Sequence, residues 1–485
     1  MGPVRGRDVP SRAREAGRIP DAAEGTGMDG SGGVGRAVVV GGGIGGLAAA
    51  LGLRAIGWEV TVAERAAALA DVGAGISLHA NGLRALDALG VGDAVRAAAR
   101  PQYTGGTRTP GGRWLARMDG AALERRLGAP IVGIPRADLH RALRAALPPG
   151  CLRTGAEVTA VEEMAGGRLR VVVGAGADES AGGGTGAGAG DGAGAGDGAG
   201  AGDGDGEGSA AAPARRGGGS RPAGAVPVRQ DAGGGPLRAS GGREVLEADL
   251  VVAADGVNSR LRARLFPGHP GPAYSGSTVL RALTEGPVDV DGDFALTWGG
   301  GAEFGHILFR DGRAEWHAVL NSPPGVRYAD PLAVLRRRFA GWHEPIPALL
   351  AATRPEAVLH HDIHELRTPL PSYAVGRTAL LGDAAHAMTP NLGQGACQAL
   401  EDAVTLAHTL AHEPGVDAAL ARYDALRRPR SQSVARAARQ AGRMGQSLTH
   451  PLATAARNTA LRLAPAGAAQ QAILRHARWV PPALP

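Results

Sequence analysis

The chain has 485 residues, 79 of them Gly, and a formal net charge of +6. All 52 basic residues are Arg, which excludes Schiff-base and phosphate-loop lysine chemistry. Two cysteines, Cys151 and Cys397, are too few for a disulfide framework or a Cys-rich metal site, and a reducing cytoplasm is the expected location. No Arg block interleaves with aromatics, so the excess of Arg reads as coding bias and no nucleic-acid partner is expected.

Residues 1–33 are rich in Gly, Arg and Asp without periodicity, and are expected to form a disordered tail. They hold no apolar run of the signal-peptide kind, and Met28 is a candidate start.

The first predicted unit is strand, turn, helix, strand. Val38, Val39 and Val40 read as a buried strand. Gly41, Gly43 and Gly46 follow in GxGxxG spacing, with Gly45 in the same turn. In that pattern the first Gly makes a tight turn, the second lets backbone approach a pyrophosphate, and the third lets helix and strand pack closely. The helix that follows points free N–H groups at the phosphates. The second strand, EVTVAE, ends in Glu64, 18 residues after Gly46. A carboxylate there accepts ribose hydroxyls and disfavours a 2′-phosphate. The pattern predicts a dinucleotide site without separating NAD from FAD.

Further along, RADLHRALRAAL from Arg136 reads as a helix, and RLRVVV and REVLEADLVVAAD read as strands. Between those strands, residues 174–242 repeat GAGAGD and carry almost no large apolar side chain. Such a segment buries too little surface to offset its ordering entropy, so a disordered insertion is expected. Closure entropy grows slowly with loop length, and the hairpin tolerates it.

EADLVVAAD places Asp255-Gly256 at the end of an apolar strand, with Ser259 and Arg260 following. A strand-rich stretch covers 273–321 and contains Arg281, His306, Trp316 and His317. Alternation keeps Trp316 and His317 from facing one pocket. In HHDIHEL, His360 and His364 would make a metal pair only on a helix; the stretch alternates as a strand, and no metal site is expected.

TALLGDAAHAMTPNLGQG then carries Asp383 at the end of another strand, followed by His386, Pro390, Gly393 and Gly395. A helix over 394–410 is predicted, with a core stripe at Ala396, Leu400, Ala403, Ala407 and Leu410 and with Asn391 as candidate N-cap. Arg-rich helices close the chain as an amphipathic cap. No apolar run has the length and Gly content of a membrane span.

Two strands that end in a carboxylate beside Gly, more than a hundred residues apart, are expected to converge on one extended ligand. With these motifs the sequence resembles the FAD-dependent aromatic hydroxylases, the para-hydroxybenzoate hydroxylase family. Its motifs are most similar to the salicylate-, 3-hydroxybenzoate- and urate-hydroxylase-like members and to zeaxanthin epoxidases. The resemblance covers about residues 36–173 and 243–440.

The resemblance implies an α/β fold. A Rossmann-like FAD-binding domain (34–173, 243–270 and 366–411) would be interrupted by a β-rich substrate domain (271–365), with C-terminal helices over 412–485. Gly41, Gly43, Gly45 and Gly46 would cradle the FAD pyrophosphate, and Glu64 would bind the adenosine ribose with Arg65 beside it. Arg136 matches a cofactor-contacting Arg. Asp255 and Gly256 fall in a motif tied to FAD and to the nicotinamide nucleotide, and Asp383 would bond a ribityl hydroxyl. GAGISLHANG, with Gly75, matches the loop under the flavin ring. Pro390, Gly393 and Gly395 would aim the 394–410 helix at the flavin pyrimidine edge, and His386 matches a family His.

The implied activity is monooxygenation. NADPH or NADH and O2 would serve to hydroxylate a small aromatic substrate through a flavin C4a-hydroperoxide. Catalytic side chains would be few, with Arg281 and His317 as candidates. The alternatives are epoxidation of an isoprenoid or other alkene, and non-catalytic FAD binding. A flavin halogenase is disfavoured because those enzymes rely on a lysine.

Overall fold

The computed structural model describes residues 34–69, 74–175, 237–239, 243–465 and 467–485. The expected tail over 1–33 with Met28, most of the expected insertion over 174–242, and Gly73 lie outside the described residues.

A six-stranded sheet runs in the order Ala374–Val375, Thr378–Leu380, Leu250–Ala253, Arg36–Val40, Glu59–Ala63, Leu152–Arg153. Its central strands pair parallel: Val38 lies opposite Val251 on one side and Thr61 on the other, and Val252 lies opposite Ala379. Central parallel strands are covered on both faces, which is why VVV and LVVA are continuous apolar runs. The Ile44–Ala55 helix covers one face and packs directly on the Gly395–His412 helix. At their contact a Cβ on Gly52 would stand 3.2 Å from the Ala403 carbonyl oxygen, so small residues set the separation.

REVLEADLVVAAD is two strands in two sheets. Arg243–Ala248 pairs antiparallel with Leu169–Ala175, and Leu250–Ala253 enters the parallel sheet. The two strands that flank the expected insertion therefore pair, but its described ends are not disordered: 174–175 finish the first strand, and Leu237–Ala239 is a further strand, paired antiparallel with Arg243–Ala248, because backbone pairing extends the sheet past the expected bounds. Asp249, at the switch between sheets, accepts the Arg36 amide at 2.9 Å.

A seven-stranded sheet contains Leu359–Glu365, Ala273–Leu283, Ala314–Asn321, Ala302–Leu308, Phe294–Gly299, Thr104–Arg108 and Trp114–Asp119, in that order. The 104–119 hairpin thus joins this sheet from within the 34–173 segment, Thr104–Arg108 pairing parallel with Phe294–Gly299. Helices Pro331–Phe339 and Ile346–Ala351 cover one face of the sheet, over Leu280, Phe304, Trp316 and Ala318. Trp316 points there, stacked on Phe304 with ring centroids 5.6 Å apart.

The helix predicted over 394–410 runs Gly395–His412 and is buried almost all round. Gln398, Glu401 and Asp402 are as buried as Leu400, Ala403 and Ala407, while Ala396 and Leu410 are only half-buried. The single apolar stripe is corrected accordingly, because helices pack on several of its sides. Its N-cap position is Gln394 rather than Asn391. Gly393, at φ 61°, separates the helix from a short turn Pro390–Leu392, and Asn391 in that turn donates to Gln446 Oε1 at 3.2 Å. The Val416–Met444 helix packs on the Gly395–His412 helix, and Pro451–Leu463 and Ala468–Ala477 complete the helical C-terminus. No described helix is long and apolar enough to cross a membrane.

Candidate functional site

Four neighbouring strands of the parallel sheet carry the motifs at their C-terminal ends. In sheet order, Thr378–Leu380 leads to Gly382-Asp383, Leu250–Ala253 to Asp255-Gly256, Arg36–Val40 to Gly41, and Glu59–Ala63 to Glu64. In a parallel sheet these ends form one edge, the place where ligands collect in open α/β folds.

The glycine turn is dictated by contact. Gly41 has φ 107°, and a Cβ there would stand 2.4 Å from the Ala254 carbonyl oxygen. A Cβ on Gly46 would stand 2.0 Å from the Gly41 carbonyl oxygen, and one on Gly45 2.8 Å from Leu381 Cδ2. Gly43 is the N-cap of the Ile44–Ala55 helix, which has no side-chain cap and no acid in its first turn. Its first N–H groups are left for an anionic ligand.

Glu64 is 7% exposed and fixed by backbone. Oε2 accepts from the Gly42 amide at 2.7 Å, and Oε1 from the Ala66 amide at 2.9 Å. Each oxygen keeps a further lone pair for a hydroxyl donor. Arg65 is exposed beside it. Arg136 opens the Arg136–Ala145 helix, its amide bonded to the Ala74 carbonyl at 3.1 Å. From the same helix His140 Nε2 lies 2.8 Å from the Gly42 carbonyl oxygen, a tie that nothing in the motif pattern announced.

Asp255 Oδ2 accepts the Leu261 amide at 3.2 Å, and its buried Oδ1 has no partner among the described residues. An acceptor left open at this edge suits a ligand hydroxyl or amide. Gly256 has φ 80° and Gly382 has φ 62°, so both acid turns need Gly. Between the turns sits Arg262, 3% exposed. It donates to the Val257 carbonyl at 2.6 Å and to the Ala384 carbonyl at 3.2 Å, which ties the two turns together. Burial lowers its pKa, and Asp255 and Asp383 counter that shift. The sequence singled out Arg260, which is instead exposed and paired with Glu157. The available signal was Ser259, whose hydroxyl caps the Arg262 amide at 2.9 Å and starts a helix that turns Arg262 inward.

Asp383 is the first residue of a short helix, Asp383–His386. His386 lies on the buried side of it. Its Nε2 is 2.6 Å from Asp402 Oδ2, so it is a packed, hydrogen-bonded histidine. Beyond Pro390 and Gly393, a Cβ on Gly395 would meet no described atom within 4 Å, so the helix entry is open. Gly75 sits in the Gly75–Leu78 strand, and a Cβ there would stand 2.4 Å from Phe309 Cζ and 2.9 Å from Glu315 Cβ. Close packing on the seven-stranded sheet is therefore one physical reason for that glycine.

The face of the seven-stranded sheet turned away from Trp316 carries Arg281, His317, Glu303 and Glu315. Arg281 lies opposite His317, and His317 opposite Gly305. A Cβ on Gly305 would stand 2.4 Å from His317 Nε2, so the missing side chain makes room for the ring. His317 Nδ1 lies 3.4 Å from Glu315 Oε2, and Nε2 lies 3.9 Å from Glu303 Oε1. Trp298 Nε1 donates to Glu303 Oε2 at 2.6 Å. Burial alone would lower the His317 pKa; Glu315 and Glu303 outweigh it and raise it. Burial pushes the Glu303 carboxyl up. Both glutamates lacked a motif that would have revealed them.

The sequence family described as "FAD binding domain" matches residues 36–180 and 236–438. The chain belongs to this family. Aurachin C monooxygenase/isomerase of Stigmatella aurantiaca is 33% identical over 411 residues, 84% of this chain and 89% of that protein. The 3-amino-4-hydroxybenzoate 2-monooxygenase PtnB3 of Streptomyces platensis is 34% identical over 423 residues, 84% of this chain and 87% of that protein. Among solved structures, HpxO of Klebsiella pneumoniae complexed with FAD and uric acid superposes with a TM-score of 0.72. It is 26% identical, and the match covers 91% of this chain and 96% of HpxO. The chain is an FAD-dependent monooxygenase, and its α/β fold is the FAD-binding fold expected from the motifs.

In this flavoprotein a cavity of about 250 Å³ lies between the same sheet, the Thr389–Asn391 turn and the end of the Val416–Met444 helix. It is polar, and two of its cations, Arg439 and Arg443, come from a helix that the sequence placed only in a solvated cap.

Proposed function

We propose that the chain hydroxylates a small aromatic substrate with O2 and NADPH or NADH, on FAD held across the parallel-sheet edge. What supports this reading is one observation: Gly41, Glu64, Asp255 and Asp383 stand at the ends of four adjacent strands. That edge offers an uncapped helix N-terminus, two carboxylates and an open acceptor, the donor and acceptor set that a dinucleotide needs. Bound FAD supplies the electron transfer and the oxygen activation, which no side chain of this protein can provide.

The chain's own residues bind, orient and exclude water. Gly41, Gly43, Gly45 and Gly46 let backbone reach the pyrophosphate. Glu64 takes the adenosine ribose, with Arg65 and Arg136 at the cofactor's flank. Asp255 and Gly256 shape the middle of the site, Arg262 fixes them to the Asp383 turn, and Asp383 takes a ribityl hydroxyl. Pro390, Gly393 and Gly395 aim the Gly395–His412 helix at the ring, and the Gly75 strand backs it. Arg281 and His317 form the floor, where His317 can hold a proton between Glu315 and Glu303. A cytoplasmic location is part of this reading.

The experiment is anaerobic mixing of the yellow protein with NADPH and with NADH in the presence of a panel of phenols, then addition of O2. Substrate-stimulated flavin bleaching and an oxygen-inserted aromatic product are expected. Bleaching with alkene substrates and epoxide products would move the reading to the epoxidase alternative. Flavin that neither nucleotide reduces would overturn it in favour of non-catalytic binding.

A further inference from the structure

The cavity beside the Thr389–Asn391 turn is lined by Arg367, Arg439 and Arg443 with one carboxylate, Glu365. Glu365 is 2% exposed; Arg439 Nε meets its Oε2 at 2.7 Å, and Arg367 Nε its Oε1 at 3.5 Å. Three guanidinium groups against one carboxylate leave the chamber with an excess of positive charge. Two buried hydroxyls in the same wall, Ser275 Oγ and Thr389 Oγ1, have no partner among the described residues. A chamber with surplus cations and open hydroxyls is complementary to an anion that accepts several hydrogen bonds.

Its position ties it to the chemistry. The floor is the sheet face that also carries Arg281 and His317, since Ser277 precedes Arg281 at an alternate position in a stretch that pairs regularly with Ala314–Asn321. The roof is the turn that leads into the Gly395–His412 helix. At Gly442 the long helix approaches that turn so closely that a Cβ would stand 2.7 Å from Asn391 Oδ1. The volume of about 250 Å³ accommodates a single-ring or compact bicyclic molecule.

We propose that this chamber is an anion subsite in which Arg439 and Arg443 of the long helix, with the Ser275 and Thr389 hydroxyls, bind the carboxylate or comparable anionic group of a ring-sized substrate. The inference rests on the monooxygenase reading for its choice of ligand. A nicotinamide nucleotide offers the same anionic chemistry through its phosphates, and the test separates the two sources.

FAD-loaded enzyme is titrated with benzoate and with its neutral isostere benzamide, binding being read from the flavin absorbance change. Benzoate is expected to bind about tenfold or more tightly, the difference expected of a charge-assisted hydrogen bond. Arg443→Gln, at an exposed position, is expected to remove most of that preference and leave benzamide binding unchanged. Arg439→Gln is the second variant, checked for retained FAD. If benzoate shows no preference but Arg443→Gln raises the KM for NADPH and NADH, the anion is the nucleotide phosphate and the site stands. Equal binding of benzoate and benzamide, with nucleotide KM values unchanged in both variants, overturns the proposal. Failure of the monooxygenase reading is distinguishable, because it appears as unreduced flavin whatever the benzoate titration gives.

Discussion

His386 Nε2 lies 2.6 Å from Asp402 Oδ2, and both side chains are buried. The other Asp402 oxygen accepts Arg427 Nε at 2.7 Å, and Arg427 Nη1 reaches Glu401 Oε2 at 2.5 Å. Asp402 Oδ2 also accepts the Gly382 amide at 3.0 Å, next to Asp383. Glu401 Oε1 accepts Asn81 Nδ2 at 2.7 Å, and Asn81 also donates to Gln394. One buried charge cluster thus holds the Asp383 turn, the helix entry at Gln394 and the segment after the Gly75 strand.

Burial alone would raise the Asp402 carboxyl, but His386 and Arg427 outweigh it and hold its pKa below the usual carboxylate range. A carboxylate with a depressed folded pKa stabilises the fold above its unfolded pKa, and that stability is lost as pH falls through the folded value. Asp402→Asn should therefore cost about 3–5 kcal/mol near neutral pH, as expected for one partner removed from a buried ion cluster. The gap to the parent protein should narrow below about pH 4, where the unfolded Asp takes up its proton. Urea unfolding at pH 7 and below pH 4 measures both.

Glu64→Gln should weaken FAD binding by about tenfold or more, since bonds to a charged acceptor contribute about 1.5–3 kcal/mol and each 1.4 kcal/mol is tenfold. Gln keeps one acceptor oxygen and turns a donor toward one of the Gly42 and Ala66 amides that Glu64 now accepts from. Flavin fluorescence titration of the apoprotein reports the loss. The thermal midpoint of the apoprotein should fall as well, because the amide that faces the new donor loses its acceptor, at a cost of about 1–3 kcal/mol.

Two glycines of the site should respond oppositely to Ala. Gly41→Ala places a Cβ 2.4 Å from the Ala254 carbonyl at φ 107°, so the apoprotein itself should lose stability, by at least about 1–3 kcal/mol for the strained backbone alone. Gly395→Ala meets no described atom within 4 Å and sits at the start of a helix, where Ala is well tolerated. Its apoprotein should melt like the parent, while FAD affinity falls if the cofactor fills that space. Melting curves with and without FAD separate the two.

His317 carries the opposite pH sign to Asp402. Its pKa is raised because Glu315 and Glu303 outweigh burial and the repulsion from Arg281. A raised folded pKa contributes stability fully below the unfolded value of about 6.5, and that stability is lost as pH rises through the folded pKa. The difference in stability between the parent protein and His317→Gln should be largest below about pH 6.5 and shrink toward alkaline pH. In activity assays, the same substitution should remove an ionisation from the pH profile of kcat/KM.

Short-range chemistry determined what could be read from the sequence. The glycine turn, the acid at Glu64 and the carboxylates at Asp255 and Asp383 each follow an apolar strand, and a parallel sheet brings strand ends to one edge. Those facts predicted a dinucleotide site on an α/β sheet, and the family resemblance that they carry named the cofactor as FAD. Cross-chain contact decided the rest. Arg262 rather than Arg260 is buried because a helix begins at Ser259 and turns it toward the Ala384 carbonyl. Glu401 and Asp402 sit inside an apolar helix because Arg427, on the following helix, neutralises them. His317 faces the floor and Trp316 the helices, a choice that alternation permits either way and that packing of Phe304 and Leu335 settles. Two arginines of the chamber, Arg439 and Arg443, come from a helix that reads as a solvated cap, and only the close approach at Gly442 turns its end toward the site. Such contacts depend on which surfaces meet after folding, and no local pattern along the chain encodes them.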